Sequence, residues 1–333
     1  DLIKTSRLDL ASIDISSIPM DDSLTFDLFC RADTIGVFQL ESSGMKRLVS
    51  NMQPSVFGDI VAILALYRPG PLGSGMVEDY VQCKHGRKRV IYPHPLMVDI
   101  LRETYGVLVY QEQIIQGVQV LAGFSLGQAD LLRRAIGKKT PEVLAEQRLQ
   151  FVEGCLKNPE FVEKCPKSST PEEKANEIFD TINYFSGYGF NKSHSAAYAV
   201  VSYQTLWLKQ HFPAPFMAAV LTSDMQTTDK VVVFIEECRE MGIELILPDV
   251  NQSQYGFTVN DDDAIVYGLG AVKGVGEGPI DAIIAARKDG PFRDMFDFCK
   301  RVDPKKINKR VMEALVRCGA FDRLEYTAPR SVL

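Results

Sequence analysis

Paired cysteines are missing from this 333-residue sequence. Cys30, Cys83, Cys155, Cys165, Cys238, Cys299 and Cys318 are scattered and form no C-x2-C spacing. Only Cys155 and Cys165 fall near each other, with no histidine beside them. That excludes a zinc knuckle and a disulfide frame, and leaves free thiols in a reducing compartment. Histidine is scarce, with 4 in all, and no His, Cys and Asp stand at metal or triad spacing. No apolar stretch reaches the ~18 residues a bilayer span needs, and the amino end lacks a basic-then-apolar leader pattern. The phosphate loop G-x-x-x-x-G-K-[ST] is absent, which counts against nucleotide-loop hydrolases and kinases. Positive charge is not in excess either: 37 Lys and Arg against 43 Asp and Glu give a net charge of −6. A small self-contained DNA-binding domain is usually basic, so the balance counts against one. It leaves room for a larger chain that concentrates its cations in a few places.

What is present is the profile of a globular protein, with 46% hydrophobic and 24% charged residues. The length predicts roughly two domains. A helix is expected from Met20-Asp21-Asp22-Ser23 to Phe29, opened by side chains that satisfy free amides. Thr34 to Leu40 reads as a strand from its β-branched and aromatic content. Helices are expected over 41–52 and 56–67, the second stopped by Arg68-Pro69-Gly70-Pro71. Tyr105 to Tyr110 reads as a buried strand, 111–150 as two or three helices, and 158–171 as an exposed loop. Further helices are expected over 171–185, 195–212 and 231–241. After Pro248 the character changes: 255–259 and 264–267 flank Asn260-Asp261-Asp262-Asp263 as a hairpin, followed by two glycine-pivoted helix pairs. The boundary is placed near residue 250. Both chain ends, Asp1-Leu2-Ile3-Lys4 without a Met and Ser331-Val332-Leu333, read as cut from something longer.

Three segments could carry chemistry. In Gly187 to Tyr198, two glycines make a tight turn, and Ser193 or Ser195 can cap the helix that follows. Its free N–H groups and partial positive charge form a natural phosphate seat. Lys192 adds a charge, Asn191 and His194 directional hydrogen bonds, and Tyr198 a ring one turn on. The plainer alternative is a well-capped helix with a solvated lysine and a structural histidine. In Ala129 to Lys139, Arg133, Arg134, Lys138 and Lys139 crowd the end of a helix. Arginine clamps phosphate with two parallel hydrogen bonds, but cations are favourable at any helix C-terminus, and adjacent residues point about 100° apart. In Leu269 to Ile284, Gly274-Val275-Gly276 turns into a helix like a helix-hairpin-helix motif, whose backbone amides grip duplex phosphates without reading sequence. Ile307 to Phe321 is a candidate partner unit, and Lys273 with Lys305, Lys306, Lys309 and Arg310 supplies charge. An ordinary glycine turn is the alternative.

The remaining candidates are weaker. Lys84 to Arg89 is a basic loop, best read as solvated. Arg68 is held by a rigid Pro-Gly-Pro, which suits a placed cation as well as a helix stop. Asp261 to Asp263 point different ways in a turn and do not make a metal site.

Taken together, Val37-Phe38-Gln39-Leu40-Glu41-Ser42, Tyr67-Arg68-Pro69-Gly70-Pro71-Leu72, Tyr110-Gln111-Glu112-Gln113, Leu132-Arg133-Arg134-Ala135, the 187–198 string and Tyr203-Gln204-Thr205-Leu206-Trp207-Leu208-Lys209 closely resemble the C-family replicative DNA polymerases of bacteria, the polymerase III alpha subunits. The likeness runs over essentially the whole chain. It implies a mainly α fold with minor β: a multi-helix fingers domain over 1–250, then a β-hairpin and the start of a tandem helix-hairpin-helix module over 251–333, expected to be truncated at its C-terminal end. It further implies triphosphate contacts by Arg133 and Arg134, and a nucleotide pocket lined by Asn191, Lys192, Ser193, His194 and Tyr198, with His194 near the sugar. DNA contacts are expected from Arg68, Lys138, Lys139, Lys273, Gly274 and Gly276. The family's catalytic aspartates lie in a palm upstream of Asp1 and, the turn triplet aside, no Asp-x-Asp pair stands in for them. Two-metal transfer needs clustered carboxylates to hold Mg2+, so those ligands are expected outside this chain, and the chain alone is expected to be inactive. The resemblance names dNTPs, primer–template DNA, the palm and thumb of the same polypeptide and other holoenzyme subunits as partners, in the cytoplasm. Two alternatives stand beside it: a non-enzymatic duplex-binding module using the helix-hairpin-helix alone, and a small phosphotransferase, which the missing phosphate loop disfavours.

Overall fold

A computed structural model describes residues 13–138, 141–186 and 188–326. These are mainly helical with one small sheet, as expected. Contacts group Met20–Asp33 with Gln39–Tyr203 in one unit, and residues 13–19, 34–38 and 204–326 in another.

In the first unit, α1 (Ser23–Arg31) starts where the Asp22 carboxylate accepts the Thr25 N–H at 2.9 Å. α2 (Ser43–Met52) is capped by Ser42 in the same manner. α3 (Phe57–Leu66) is apolar on nearly every side and correspondingly buried. The Arg68-Pro69 junction opens a short α4 (Pro69–Gly73), because proline suits a first helical position as well as a stop. α5 (Met76–Lys84) and α6 (Val98–Leu101) follow. One core of the unit lies among α7 (Gln111–Ala122), α8 (Leu126–Lys138), α9 (Pro141–Lys157) and α11 (Pro171–Ser186), around Val118, Leu121, Phe151, Phe179 and Ile182. Between α9 and α11, the expected exposed loop contains a helix, α10 (Pro159–Glu163). Phe161 anchors it, fully buried and stacked 4.4 Å from the ring of His94.

Two expected strands are not strands. Thr34 to Leu40 forms turns: Gly36 and Gln39 both adopt positive φ, 76° and 64°, which no extended run tolerates. Val37 and Leu40 are nonetheless buried, so the apolar content was read correctly and its geometry was not. Tyr105 to Tyr110 ends in a buried, extended stretch that pairs through a single bridge, Tyr110 to Phe190. α12 (Lys192–His211) begins three residues before the expected start, and the contact division falls within it, after Tyr203.

The second unit continues with α13 (Pro213–Ser223) and α14 (Thr228–Glu240). Strands β1 (Leu245–Ile246), β2 (Thr258–Val259) and β3 (Ile265–Val266) form a sheet of order β1-β3-β2. The β2–β3 hairpin is the expected one, with Thr258 opposite Val266. β1 adds in parallel beside β3 and was not anticipated, since two residues carry no legible period. Phe257 and Ile265 pack with Phe216, Leu221 and Phe234 of α13 and α14. A separate core of Ile280, Ile283, Phe292, Phe298, Leu315 and Phe321 joins α15 (Glu277–Ala286), α16 (Met295–Arg301) and α17 (Lys309–Arg317). The division by contacts thus differs from the cut near residue 250: the hairpin shares its core with helices on the other side of that cut.

Candidate functional site

The glycine turn delivers the chain into α12 along the buried segment before α7. Phe190 N–H donates to the Val109 carbonyl at 3.0 Å, and Gln111 N–H donates back to the Phe190 carbonyl at 2.9 Å. Asn191, and neither Ser193 nor Ser195, caps α12: its Oδ1 accepts the His194 N–H at 2.8 Å. Ser195 lies too far into the helix for that role; it is buried, and its hydroxyl donates to the Lys192 carbonyl. Phe190, His194 and Tyr198 recur at four-residue spacing, so their rings adjoin along one face. The His194 ring lies 4.3 Å from that of Tyr198 and 5.5 Å from that of Phe190. These three line a cleft of ≈ 490 Å³ with Gln39, Glu41, Ser42 and Tyr67. Ser193 is exposed.

At the helix start, the Lys192 N–H that the sequence offered to a phosphate already has a partner. The Glu112 carboxylate accepts the Lys192 backbone N–H at 3.1 and 3.0 Å through its two oxygens, and Asn191 Nδ2 donates to it at 3.2 Å. The Lys192 ammonium pairs with Glu103 at 2.7 Å and lies 5.3 Å from the centre of the Tyr110 ring. Sequence reasoning missed Glu103 altogether and quoted Glu112 without a role; no local pattern points from either to a helix 80 residues away.

Arg133 and Arg134 are brought together by a residue the sequence reading passed over. Asp130 Oδ1 accepts from Arg133 Nε and Nη2 at 2.9 and 2.8 Å, while its Oδ2 pairs with Arg134 Nε at 2.7 Å. The arginines hold the Asp130 carboxyl below the ordinary carboxylate range, Arg133 contributing most through its hydrogen bond. Arg133 Nη1 also donates to Gln111 Oε1 at 3.3 Å, and Gln111 Nε2 donates to the Gly189 carbonyl at 3.2 Å. Arg133 is thereby tied to the glycine turn.

Arg68 joins the same turn rather than standing free. Its Nη2 donates to the Tyr188 carbonyl at 2.6 Å, its Nε to the Ala65 carbonyl at 2.8 Å, and its guanidinium lies 4.4 Å from the centre of the Phe190 ring. Burial lowers its pKa from the ordinary arginine value. Of the other expected DNA contacts, Lys139 and the side chain of Lys138 lie outside the described residues; so does Gly187 of the glycine turn.

In the second unit Lys273 and Gly274 are exposed and lead through Val275 to Gly276, which caps α15. Gly274 has φ +94, and a Cβ built on it would stand 3.8 Å from Arg310 Nε. The first glycine turn and the start of α17 therefore meet. Gly276 needs no special φ, at −90°, and a Cβ there would meet nothing within 4 Å. Among the described residues no group of three or more His, Cys, Asp or Glu could hold a metal ion, so the residues present do not fit a two-metal centre. No helix among them is long and apolar enough to cross a membrane.

By sequence, the chain matches a fingers domain continued by a helix-hairpin-helix module. Residues 1–159 match the family model described as Bacterial DNA polymerase III alpha subunit finger domain, and residues 242–330 match that of the Helix-hairpin-helix motif. The DNA polymerase III subunit alpha of Pseudomonas aeruginosa is 56% identical over 95% of this chain and 26% of the relative. That of Pseudomonas fluorescens is 54% identical over 97% and 28%, and that of Escherichia coli K12 is 55% identical over 94% and 27%. The chain belongs with the bacterial DNA polymerase III alpha subunits, as a stretch of their fingers and helix-hairpin-helix region, and spans about a quarter of the length of these relatives.

Proposed function

We propose that this chain is the nucleotide- and DNA-gripping part of a replicative DNA-directed DNA polymerase acting in the cytoplasm. The observation that carries the reading is a division of charge at the glycine turn. The cleft beside Phe190, His194 and Tyr198 has no Lys or Arg among its lining residues and includes the Glu41 carboxylate. Arg133 is fastened to the same turn through Gln111. A cleft of this kind suits the uncharged base and sugar, with rings for stacking and His194 near the sugar. Arg133, Arg134 and Lys192 suit the triphosphate, and Asn191 and Ser193 offer polar contacts at the helix start. Arg68 supports the turn. The exposed Lys273-Gly274-Val275-Gly276 turn, with Arg310, suits the phosphate backbone of duplex DNA; Lys138 and Lys139 would extend the basic surface at the end of α8.

The Mg2+ ions of nucleotidyl transfer would be held by palm carboxylates of the same polypeptide, and the chain alone would position substrates without turnover. Palm, thumb and other replicative subunits are the protein partners of this reading. Fluorescence-anisotropy titration of a recessed primer–template, across a salt series with and without the matching dNTP, tests it. Salt-sensitive binding that the matching dNTP tightens and a mismatched one does not is the expected result. Binding indifferent to dNTP, lost on substitution of Gly276 and untouched at Arg133 or His194, would leave only a duplex-binding module.

A further inference from the structure

We infer that Asp130 is a positioning residue for the triphosphate, gathering the Arg133 and Arg134 guanidinium groups on one carboxylate so that the exposed terminal nitrogens of Arg134 are held beside the anchored Arg133. The inference rests on the triphosphate reading above and assigns a role to a residue that reading does not use.

Adjacent residues on a helix diverge by about 100°, and two neighbouring guanidinium groups repel. Left alone, Arg133 and Arg134 would splay. In the structure they converge on one carboxylate, each oxygen of which takes one arginine. Asp130 lies one turn before both, at i,i+3 and i,i+4, the two offsets that share a helix face. An ordinary surface ion pair uses one cation and leaves it mobile. Here a third tie, from Arg133 to Gln111, fixes the group against the glycine turn. Arg133 is mostly covered, with 27% of its side chain exposed, while Arg134 is 65% exposed. Asp130 engages only Nε of Arg134 among the described contacts, which leaves that guanidinium's two terminal nitrogens for a two-point contact with phosphate oxygens.

The sign of the effect separates positioning from competition. If Asp130 merely neutralised the arginines, removing it would add positive charge and tighten anion binding. If it positions them, removal loosens triphosphate binding despite the added charge. The test is equilibrium titration of the 333-residue chain and its variants with dATP, inorganic tripolyphosphate and deoxyadenosine. Asp130→Ala is expected to weaken dATP and tripolyphosphate about ten-fold, the order of one lost charge-assisted contact. Asp130→Glu should recover part of that loss, and deoxyadenosine affinity should not change, because the cleft contains none of these residues. Circular dichroism checks that each variant keeps its helix content. Triphosphate affinity unchanged or tightened in Asp130→Ala, while Arg134→Ala still loses it, overturns the inference alone. Equal loss of deoxyadenosine and triphosphate would make Asp130 a structural residue and overturn it too. Absence of tripolyphosphate binding in the unaltered chain would overturn the triphosphate reading, and this inference with it.

Discussion

Both oxygens of the Glu112 carboxylate accept the backbone N–H of Lys192, so α12 is capped by an acid from the first turn of α7. The partial positive charge of the helix start already has its anion. Glu112→Ala should therefore lower thermal stability by about 1–2 kcal/mol, the range of a lost cap. Glu112→Gln keeps an acceptor and should cost less. It should also bind inorganic phosphate more tightly than the unaltered chain, since a competing negative charge is gone. Weaker phosphate binding in Glu112→Gln would mean that this carboxylate orders the turn more than it blocks it.

Arg68 offers a direct contrast between support and DNA contact. Its donors are directed to the Tyr188 and Ala65 carbonyls and its face lies against Phe190. Arg68→Ala is expected to lose about 2 kcal/mol of stability, as hydrogen bonds to a charged group and a cation–π contact go together. The salt dependence of DNA binding should keep its slope, because one lost phosphate contact flattens the log–log slope by about 0.9. A slope reduced by that amount at unchanged stability would restore Arg68 as a phosphate contact.

How far the sequence disclosed this arrangement depends on the range of each interaction. The helices were legible because caps and apolar periods are local: Asp22 marks a start that the structure uses, and Ser42 caps the helix expected from residue 41. Thr34 to Leu40 misled because β-branched content says nothing of the positive φ at Gln39. At the site, His194, Tyr198, Arg133 and Arg134 were visible as residue types. Their partners were not: Glu103 reaches Lys192 across 89 positions and Gln111 reaches Arg133 across 22, and neither spacing is a motif. Asp130 was within reach, since i,i+3 and i,i+4 acid–base pairs can be read from a helical stretch. It was overlooked because the cations alone drew the reading.

His94 makes stability depend on pH. The ring is buried against Phe161, its Nε2 within 3.2 Å of the Phe161 carbonyl, and its Nδ1 accepts the Leu96 N–H at 3.2 Å. Burial lowers its pKa in the folded chain from the ordinary 6.5, which the unfolded chain regains. Protonation thus favours the unfolded chain: the stabilisation is complete above pH 6.5 and is lost as pH falls through the folded value. His94→Asn keeps an acceptor for Leu96 and cannot titrate. Urea midpoints between about pH 7 and about pH 5 should fall less in the variant; parallel curves would remove His94 from the acid response.

Lys209 and Glu237 form a buried ion pair at 2.6 Å, with the Lys209 ammonium also donating to the Ile35 carbonyl at 2.9 Å. Lys209→Met leaves a carboxylate without its cation in an apolar setting, and is expected to cost about 3–5 kcal/mol in urea unfolding. Combining it with Glu237→Leu should recover much of that loss, because no unpaired charge remains. A double variant no more stable than the single one would show that the Ile35 contact, rather than the ion pair, carries the stability.

The two glycines of the second unit's turn should behave differently when each is given a methyl group. Gly274 sits at φ +94, a region L-residues rarely adopt, so Gly274→Ala is expected to lower stability by about 1–2 kcal/mol. Gly276 has ordinary φ and open space where a Cβ would lie, so nothing inside the fold requires glycine there. Its small size matters only to something that approaches from outside, as a phosphate backbone would. Gly276→Ala should therefore leave the melting transition within about 0.5 kcal/mol of the unaltered chain while weakening duplex binding at every salt concentration. Lys273→Ala should instead flatten the salt dependence by about 0.9 of a log–log unit. Unaltered duplex affinity in Gly276→Ala, together with an unchanged slope in Lys273→Ala, would place the DNA contact away from this turn.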